Sequence, residues 1–352
     1  MESDTPAFYP AYYPFFSCKC GACRHSCCAD WQVSVSPEEL AHCAAMHPSP
    51  ALRAQLADAV GILDETAFLR KNADGDCVLH RADGLCALQA ELGEAALPEI
   101  CRLFPRRAEE NGGILETCAM NSCEAVLELL WEKPDAMELQ LPQSYANASE
   151  REKVLLRAAC IRIVANASPN DAEKRAALAS LLSLPASTDG KIAQQLPYFY
   201  EAATHFSTHS PSAAALFETA LAAVGMQTDP AIQSPTQLQK MLADLAEKRA
   251  AFAAHYPDFE SFFGRVLANY LFEIQFPDPE DEMPRKDAYL AFCVTDALIR
   301  FVLYANFSPA DERQTLIDRL ARLFRLISHT RFAYNLLVLC NRRGLTAARE
   351  IF

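Results

Sequence analysis

The sequence predicts a mainly α fold: an irregular, cysteine-rich N-terminal region with a few short strands, followed by an α-helical domain. Three observations carry that prediction. Eleven of the fourteen cysteines fall between Cys18 and Cys123, five of them from Cys18 to Cys28. The same stretch is punctuated by turn sequences. From about residue 150 onward, Ala, Leu, Glu, Lys and Arg dominate, and apolar residues recur at spacings of three and four, the period of an amphipathic helix. The composition places a boundary near residue 130, giving a cysteine-rich domain over 1–130 and a helical domain over 131–352.

The elements follow in chain order. Trp31 to Val35 alternates as a half-buried strand does. Ser36-Pro37-Glu38-Glu39 is a helix start, with a Ser cap, Pro at the first helical position and acids in the first turn. Asn72 to Asp76 and Arg81 to Gly84 read as turns, with a short strand over Cys77 to His80 between them. Ser168-Pro169-Asn170-Asp171 starts a helix in the second region. Ser234-Pro235 starts another, carrying Leu238, Met241, Leu242 and Leu245. Ser308-Pro309-Ala310-Asp311-Glu312 starts a third, with Leu316, Leu320, Leu323 and Ile327 on one face. The longest apolar stretch, Ala288 to Phe307, is interrupted by Asp296, Arg300 and Asn306, so it reads as a buried core helix, not a membrane span.

At 352 residues, 51% hydrophobic with 11 glycines, the chain is long and apolar enough for one large core or two ordinary ones. A formal charge of −13 argues against nucleic acid as a partner, since that footprint is basic. The opening MESDTPAFYPAYYPFFSC has neither a basic n-region nor a continuous apolar h-region, so no signal peptide is expected. The expectation is a cytoplasmic protein with no membrane partner, where clustered thiols bind metal or do redox chemistry more often than they pair.

The cysteines group as Cys18-x4-Cys23-x3-Cys27-Cys28, with Cys20 in the first gap, then Cys77-x8-Cys86-x14-Cys101, then Cys118-x4-Cys123. Thiolates are soft ligands that suit zinc and iron–sulfur clusters. Zinc ribbons show two Cys-x-x-Cys pairs about 15 to 20 residues apart, and only Cys20-x2-Cys23 has that short spacing here. The run of the main radical S-adenosylmethionine enzymes is also absent, because Asp30 stands where a cysteine is needed. Three readings stay open: an iron–sulfur site with an unusual ligand set, a zinc site, or thiols that serve as small buried hydrophobes. The last suits Cys160, Cys293 and Cys340, which lie alone on helical faces. Arg102, Arg106 and Arg107 follow Cys101 and either pair with an anionic cluster or substrate carboxylate or form a solvated basic turn. Trp31 is expected to pack over the site, and His25 and His80 are turn residues or ligands.

The same residues resemble the flagellin lysine N-methylases. The family's N-terminal block is matched at Pro10, Tyr12, Phe16, Cys18, Cys23, Cys27, Cys28 and Trp31. A second block is matched at Cys77, Gly84, Cys86, Leu92, Gly93, Cys101, Arg102, Phe104, Pro105 and Arg106. A third is matched at Ser122, Cys123, Glu124 and Ala125, without the family's Pro. Asn269 to Pro277 and Phe324 to Asn335 are looser echoes. The N-terminal blocks are similar as well to the wider group of zinc- or iron-chelating cysteine-cluster proteins. The resemblance implies methyl transfer from S-adenosylmethionine to lysine ε-amines of flagellin, dependent on a [4Fe-4S] cluster. Its ligands would come from Cys18, Cys23, Cys27, Cys28, Cys77, Cys86, Cys101 and Cys123, with Cys20, Cys43 and Cys118 outside the pattern. The alternative it leaves is a non-enzymatic zinc- or iron-binding protein.

No Gly-rich strand–loop–helix fingerprint for S-adenosylmethionine is present, so that molecule needs another mode of binding, with Arg102 and Arg106 the candidate contacts. A lysine ε-amine, with a reference pKa of about 10.4, must lose its proton before it attacks a methyl sulfonium. Tyr12, Tyr13, Glu116 and Glu124, near the cysteine blocks in sequence, are the candidate bases.

Overall fold

The computed structural model describes residues 5–24, 26–29, 31–63, 65–73, 75–166, 171–184, 211–223, 235–279 and 283–342. The architecture is mainly helical, with few short strands confined to the N-terminal part, as the composition predicts. In the first 140 residues the elements are β1 (Ala7–Pro10), β2 (Val33–Ser34), α1 (Pro37–Ala45), α2 (Pro50–Ala59), β3 (Val60–Leu63), β4 (Thr66–Leu69), α3 (Ala87–Leu92), α4 (Glu99–Leu103), β5 (Arg106–Asn111), β6 (Ile114–Ala119), α5 (Glu124–Glu132) and β7 (Leu139–Gln140). Beyond them come α6 (Ala148–Ala165), α7 (Asp171–Leu181), α8 (Pro211–Ala223), α9 (Pro235–His255), α10 (Phe259–Glu273), α11 (Arg285–Ala305), α12 (Arg313–Ser328) and α13 (Phe332–Arg342).

The strands form two small sheets, ordered β5-β6-β1-β7 and β2-β4-β3. In the first, β1 runs parallel to β6 and antiparallel to β7. The β5–β6 hairpin turns at Gly112 and Gly113, whose φ values of 56° and 78° suit a tight turn in the left-handed region. Any side chain on Gly112 would also meet the Glu150 carboxylate 2.5 Å away.

Two hydrophobic cores result. The larger gathers α5 to α13 around the nearly wholly buried α10 and α11, and draws in Phe8, Tyr12, Phe16 and Ile114. Phe259 stacks on Phe263 at 5.0 Å in its centre. The smaller is built from Trp31, Val33, Leu52, Leu69, Leu79 and Leu88, with Cys77 buried among them. The predicted face of α12 points inward, with Leu316, Leu320, Leu323 and Ile327 all buried. Among the described residues one helix, α11, has the length and composition to cross a membrane, and 94% of its apolar window is buried inside the protein. Its buried charges are paired. Arg300 reaches Asp296 (2.7 Å), Asp171 (2.8 Å) and Glu260 (2.8 Å). Burial pushes the Asp171 carboxyl up to about 6.

Three expectations need correction or trimming, and one element carried no sequence signal. The strand expected over Trp31–Val35 shortens to Val33–Ser34, which pairs with Leu69 and Phe68 at the end of β4, with Val35 N still donating to Ala67 O (2.9 Å). Cys77–His80 is a turn, not a strand: His80 N donates back to Cys77 O (2.8 Å), and isolated bridges join Lys71 to Cys77 and His80 to Cys86. The helix expected from Ser308 begins at Arg313, since the Asp311 carboxylate accepts from Ser308 N (2.9 Å) and closes a turn. The β5–β6 hairpin carries no apolar alternation on β5 (RRAEEN) and was not foreseen. The cap at Ser36 forms as expected, with Glu39 completing the reciprocal bonds. Ser168 to Asn170, Ser234, His25 and Asp30, and the side chains of Leu238, Met241 and Leu242, lie outside the described residues.

Candidate functional site

A cavity of about 300 Å³ opens where the two cores meet, and Cys18, Cys23, Cys27, Cys28, Cys77, Cys86, Cys101 and Cys123 all line it, together with Cys20. Residues 105 positions apart in the chain are thus brought to one wall. Local structure explains how. Cys86 and Cys123 stand at the N-caps of α3 and α5, and Cys101 lies within α4. Cys77 N donates to Cys28 O (2.7 Å), holding the two blocks together. Gly21 and Gly84 let the first thiol loop lie against the loop before Cys86. A Cβ on Gly21 would stand 2.6 Å from Asp83 O, and one on Gly84 would stand 2.6 Å from Gly21 O, at a φ of 79°.

All fourteen cysteines are free thiols. Burial pushes Cys23 and Cys101 up to about 12 and Cys123 up to about 11. The Cys27 thiol donates to Cys28, which holds Cys27 protonated and draws Cys28 down. Lys71 Nζ donates to Cys28 O (2.6 Å), and burial lowers its pKa. Among the described residues no three His, Cys, Asp or Glu side chains are arranged tightly enough to hold a metal ion as they stand. The donor chemistry nevertheless fits one: soft, unpaired thiols share a single wall, and a thiophilic cation would convert such protonated groups into ligands.

The other predicted residues divide. Arg102 and Arg106 line the cavity, Arg106 lying over the Phe16 ring at 4.8 Å. Of the four candidate bases, Glu124 lines it, buried and accepting from Lys19 Nζ (2.8 Å) and Arg24 N (3.1 Å). Tyr12 is buried in the large core, where its hydroxyl accepts from Ala119 N (2.8 Å) and stands 2.8 Å from Asn269 Oδ1. Burial is the main cause that raises the pKa values of Tyr12 and Tyr13. Glu116 is buried and ion-paired with Arg157. Cys43 donates to Ala96 O (2.9 Å) inside the small core, and Cys118, Cys160, Cys293 and Cys340 are buried in the large one. His80 is bridged to Cys86 through its backbone.

Sequence reasoning missed the contribution of α12 and the residue after it. Arg325 enters the cavity wall, and His329 stacks on Trp31 with ring centroids 4.8 Å apart. His329 Nε2 lies 3.0 Å from Ser122 Oγ, and burial lowers its pKa to about 4, so the ring is neutral. These residues lie some 300 positions from Trp31 in the sequence, and no spacing links them. An open groove of about 740 Å³ adjoins the thiol cavity and shares Trp31, Phe104 and Arg106 with it.

Part of the chain is similar to named proteins of Salmonella. The lysine-N-methylase of Salmonella choleraesuis is 26% identical over 170 residues, 45% of this chain and 42% of that protein. The lysine-N-methylase of Salmonella typhimurium matches to the same extent. The flagellar biosynthetic protein FliU of Salmonella muenchen is 26% identical over 145 residues, 40% of this chain and 85% of that protein. The chain spans less than half the length of the lysine N-methylases it matches. No protein-family profile matches the chain, and no solved structure does.

Proposed function

We propose that this protein transfers methyl groups to lysine ε-amines, that flagellin is its protein substrate, and that the thiol cavity holds an iron–sulfur cluster needed for the reaction. The observation that carries the proposal is the convergence of eight separately placed thiols on one cavity, in a chain similar to proteins named for lysine methylation. Cys18, Cys23, Cys27, Cys28, Cys77, Cys86, Cys101 and Cys123 are the residues that would hold the cluster. Bound S-adenosylmethionine would supply an electrophilic methyl on sulfur. At about 300 Å³ the thiol cavity is at the small end of ligand pockets, so the larger molecule belongs in the adjoining groove. There Arg106 can take a carboxylate, and Trp31 and Phe104 offer apolar faces, with Arg102 on the thiol-cavity side. Burying an ε-amine at that junction disfavours its ammonium form and frees the lone pair for attack. The flagellar name of one relative supports flagellin as the substrate.

Peptide mass spectrometry of flagellin from cells with and without this gene is the test. One CH2 increment or more on lysines, present only with the gene, supports the proposal. Unmodified lysines in both strains would remove it. Zinc without acid-labile sulfide in the purified protein, alongside unmodified flagellin, would favour a non-enzymatic zinc-binding role instead.

A further inference from the structure

We infer that the cavity holds two separate four-thiol metal centres, one built from Cys28, Cys77, Cys86 and Cys101 and the other from Cys18, Cys23, Cys27 and Cys123. The inference rests on the metal-binding reading above and goes beyond it in assigning ligands and number.

The partition follows the two cores. Cys77 is buried in the small core, and Cys28, Cys86 and Cys101 pack against it. The backbone binds this set together: Cys77 N donates to Cys28 O (2.7 Å), His80 N to Cys77 O (2.8 Å), and His80 bridges to Cys86. Cys123 instead packs against the large core, at the start of α5. The loop carrying Cys18 and Cys23 is fastened to that same helix start. Lys19 Nζ reaches Glu124 (2.8 Å) and Glu128 (3.0 Å), Arg24 N donates to Glu124 (3.1 Å), and the Arg24 guanidinium meets Glu128 at 3.3 Å. Each set is therefore anchored to its own core.

The thiols' electrostatic neighbours sort the same way. Cys101 feels Cys28, Cys86 and Cys77, and Cys86 feels Cys28 and Cys77. Cys23 feels Cys123 and Cys18, and Cys123 feels Cys18. Cys27 feels Cys28 and Cys101 on one side and Cys123 on the other. The first set already has four members, which leaves Cys27 to the second. Cys20 feels Cys18 alone and is exposed, which leaves it outside both. Four thiolates complete a tetrahedral zinc site or one [4Fe-4S] cube, so eight thiols in two sets satisfy two centres with none spare.

The experiment is metal and acid-labile sulfide analysis of the full chain purified anaerobically, with circular dichroism as a folding check. The wild type is expected to carry about eight iron and eight sulfide, or about two zinc, per chain. Cys101→Ser and Cys23→Ser should each lose about half of that content, and the double variant all of it. Cys86→Ser and Cys18→Ser repeat the halving at independent positions, and Cys20→Ser should change nothing. Content for one centre in the wild type, abolished by either substitution, overturns the two-centre assignment and leaves the metal reading standing. A wild type with neither metal nor sulfide overturns both.

Discussion

The small core around Trp31 and the large core around Phe263 bury their side chains in different company. The large one is a conventional interior: long amphipathic helices, interlocked aromatic rings, and charges such as Arg300 neutralised by carboxylates on three sides. The small one has eleven buried residues, two of them cysteines, with four more thiols or aromatics at its edge and only short helices and two- to four-residue strands around it. So small an interior stands with little apolar burial of its own. On the metal-binding proposal, the contrast teaches that one chain can divide its folding between hydrophobic burial and ligation.

The largest expected effect separates the cores outright. Stripping metal with a chelator under reducing conditions should expose the amides of residues 31–104 to hydrogen exchange while α10 and α12 keep their protection. Ligation of a structural zinc is worth about 10–16 kcal/mol in small domains, more than the small core can replace. Uniform protection with and without metal would mean the small core folds on burial alone. The reverse perturbation is Phe263→Ala. It should cost about 3–5 kcal/mol, read as a lower midpoint in denaturant, with metal content unchanged.

A pH measurement sharpens the large core's side of the comparison. Burial pushes the Glu273 carboxyl up to about 7. The folded state then binds a proton that the unfolded chain releases near its ordinary value. That stability is present in full below the ordinary carboxylate range and is lost as pH rises through about 7. Glu273→Gln should therefore stabilise the protein by about 3 kcal/mol at pH 8 and change little at pH 4, in paired thermal melts. Equal melting shifts at both values would show that the Glu273 carboxyl keeps its ordinary pKa in the folded state, which contradicts the raised value. The smallest effect belongs to the small core's one good helix start. Ser36→Ala removes the bond from Glu39 N to Ser36 Oγ, one of the two capping bonds of α1, and should cost about 1 kcal/mol.

Much of this could be read from residue order alone. The cysteine groups were legible from their spacing, and the resemblance to a known family narrowed them to the eight thiols, leaving out Cys20 and Cys118. The inward face of α12 and the core placement of α11 were legible because helical periodicity and apolar content are local. What stayed hidden is non-local or runs against pattern. The β5 strand is charged along its length because it is a sheet edge with one partner, so it carries no alternation to detect. The stack of His329 on Trp31, the entry of Arg325 and the division of the thiols between cores depend on how distant segments dock, and side-chain spacing does not encode that.

The central claim is that the thiol cavity is the reactive centre, and Cys86→Ser tests it most directly. Iron, sulfide and flagellin lysine methylation should be measured together on this variant and the wild type, with circular dichroism confirming that the helices stand. The account predicts that the metal content falls and methylation is lost with the fold retained. Methylation at the wild-type level in a variant that has lost its metal would contradict it.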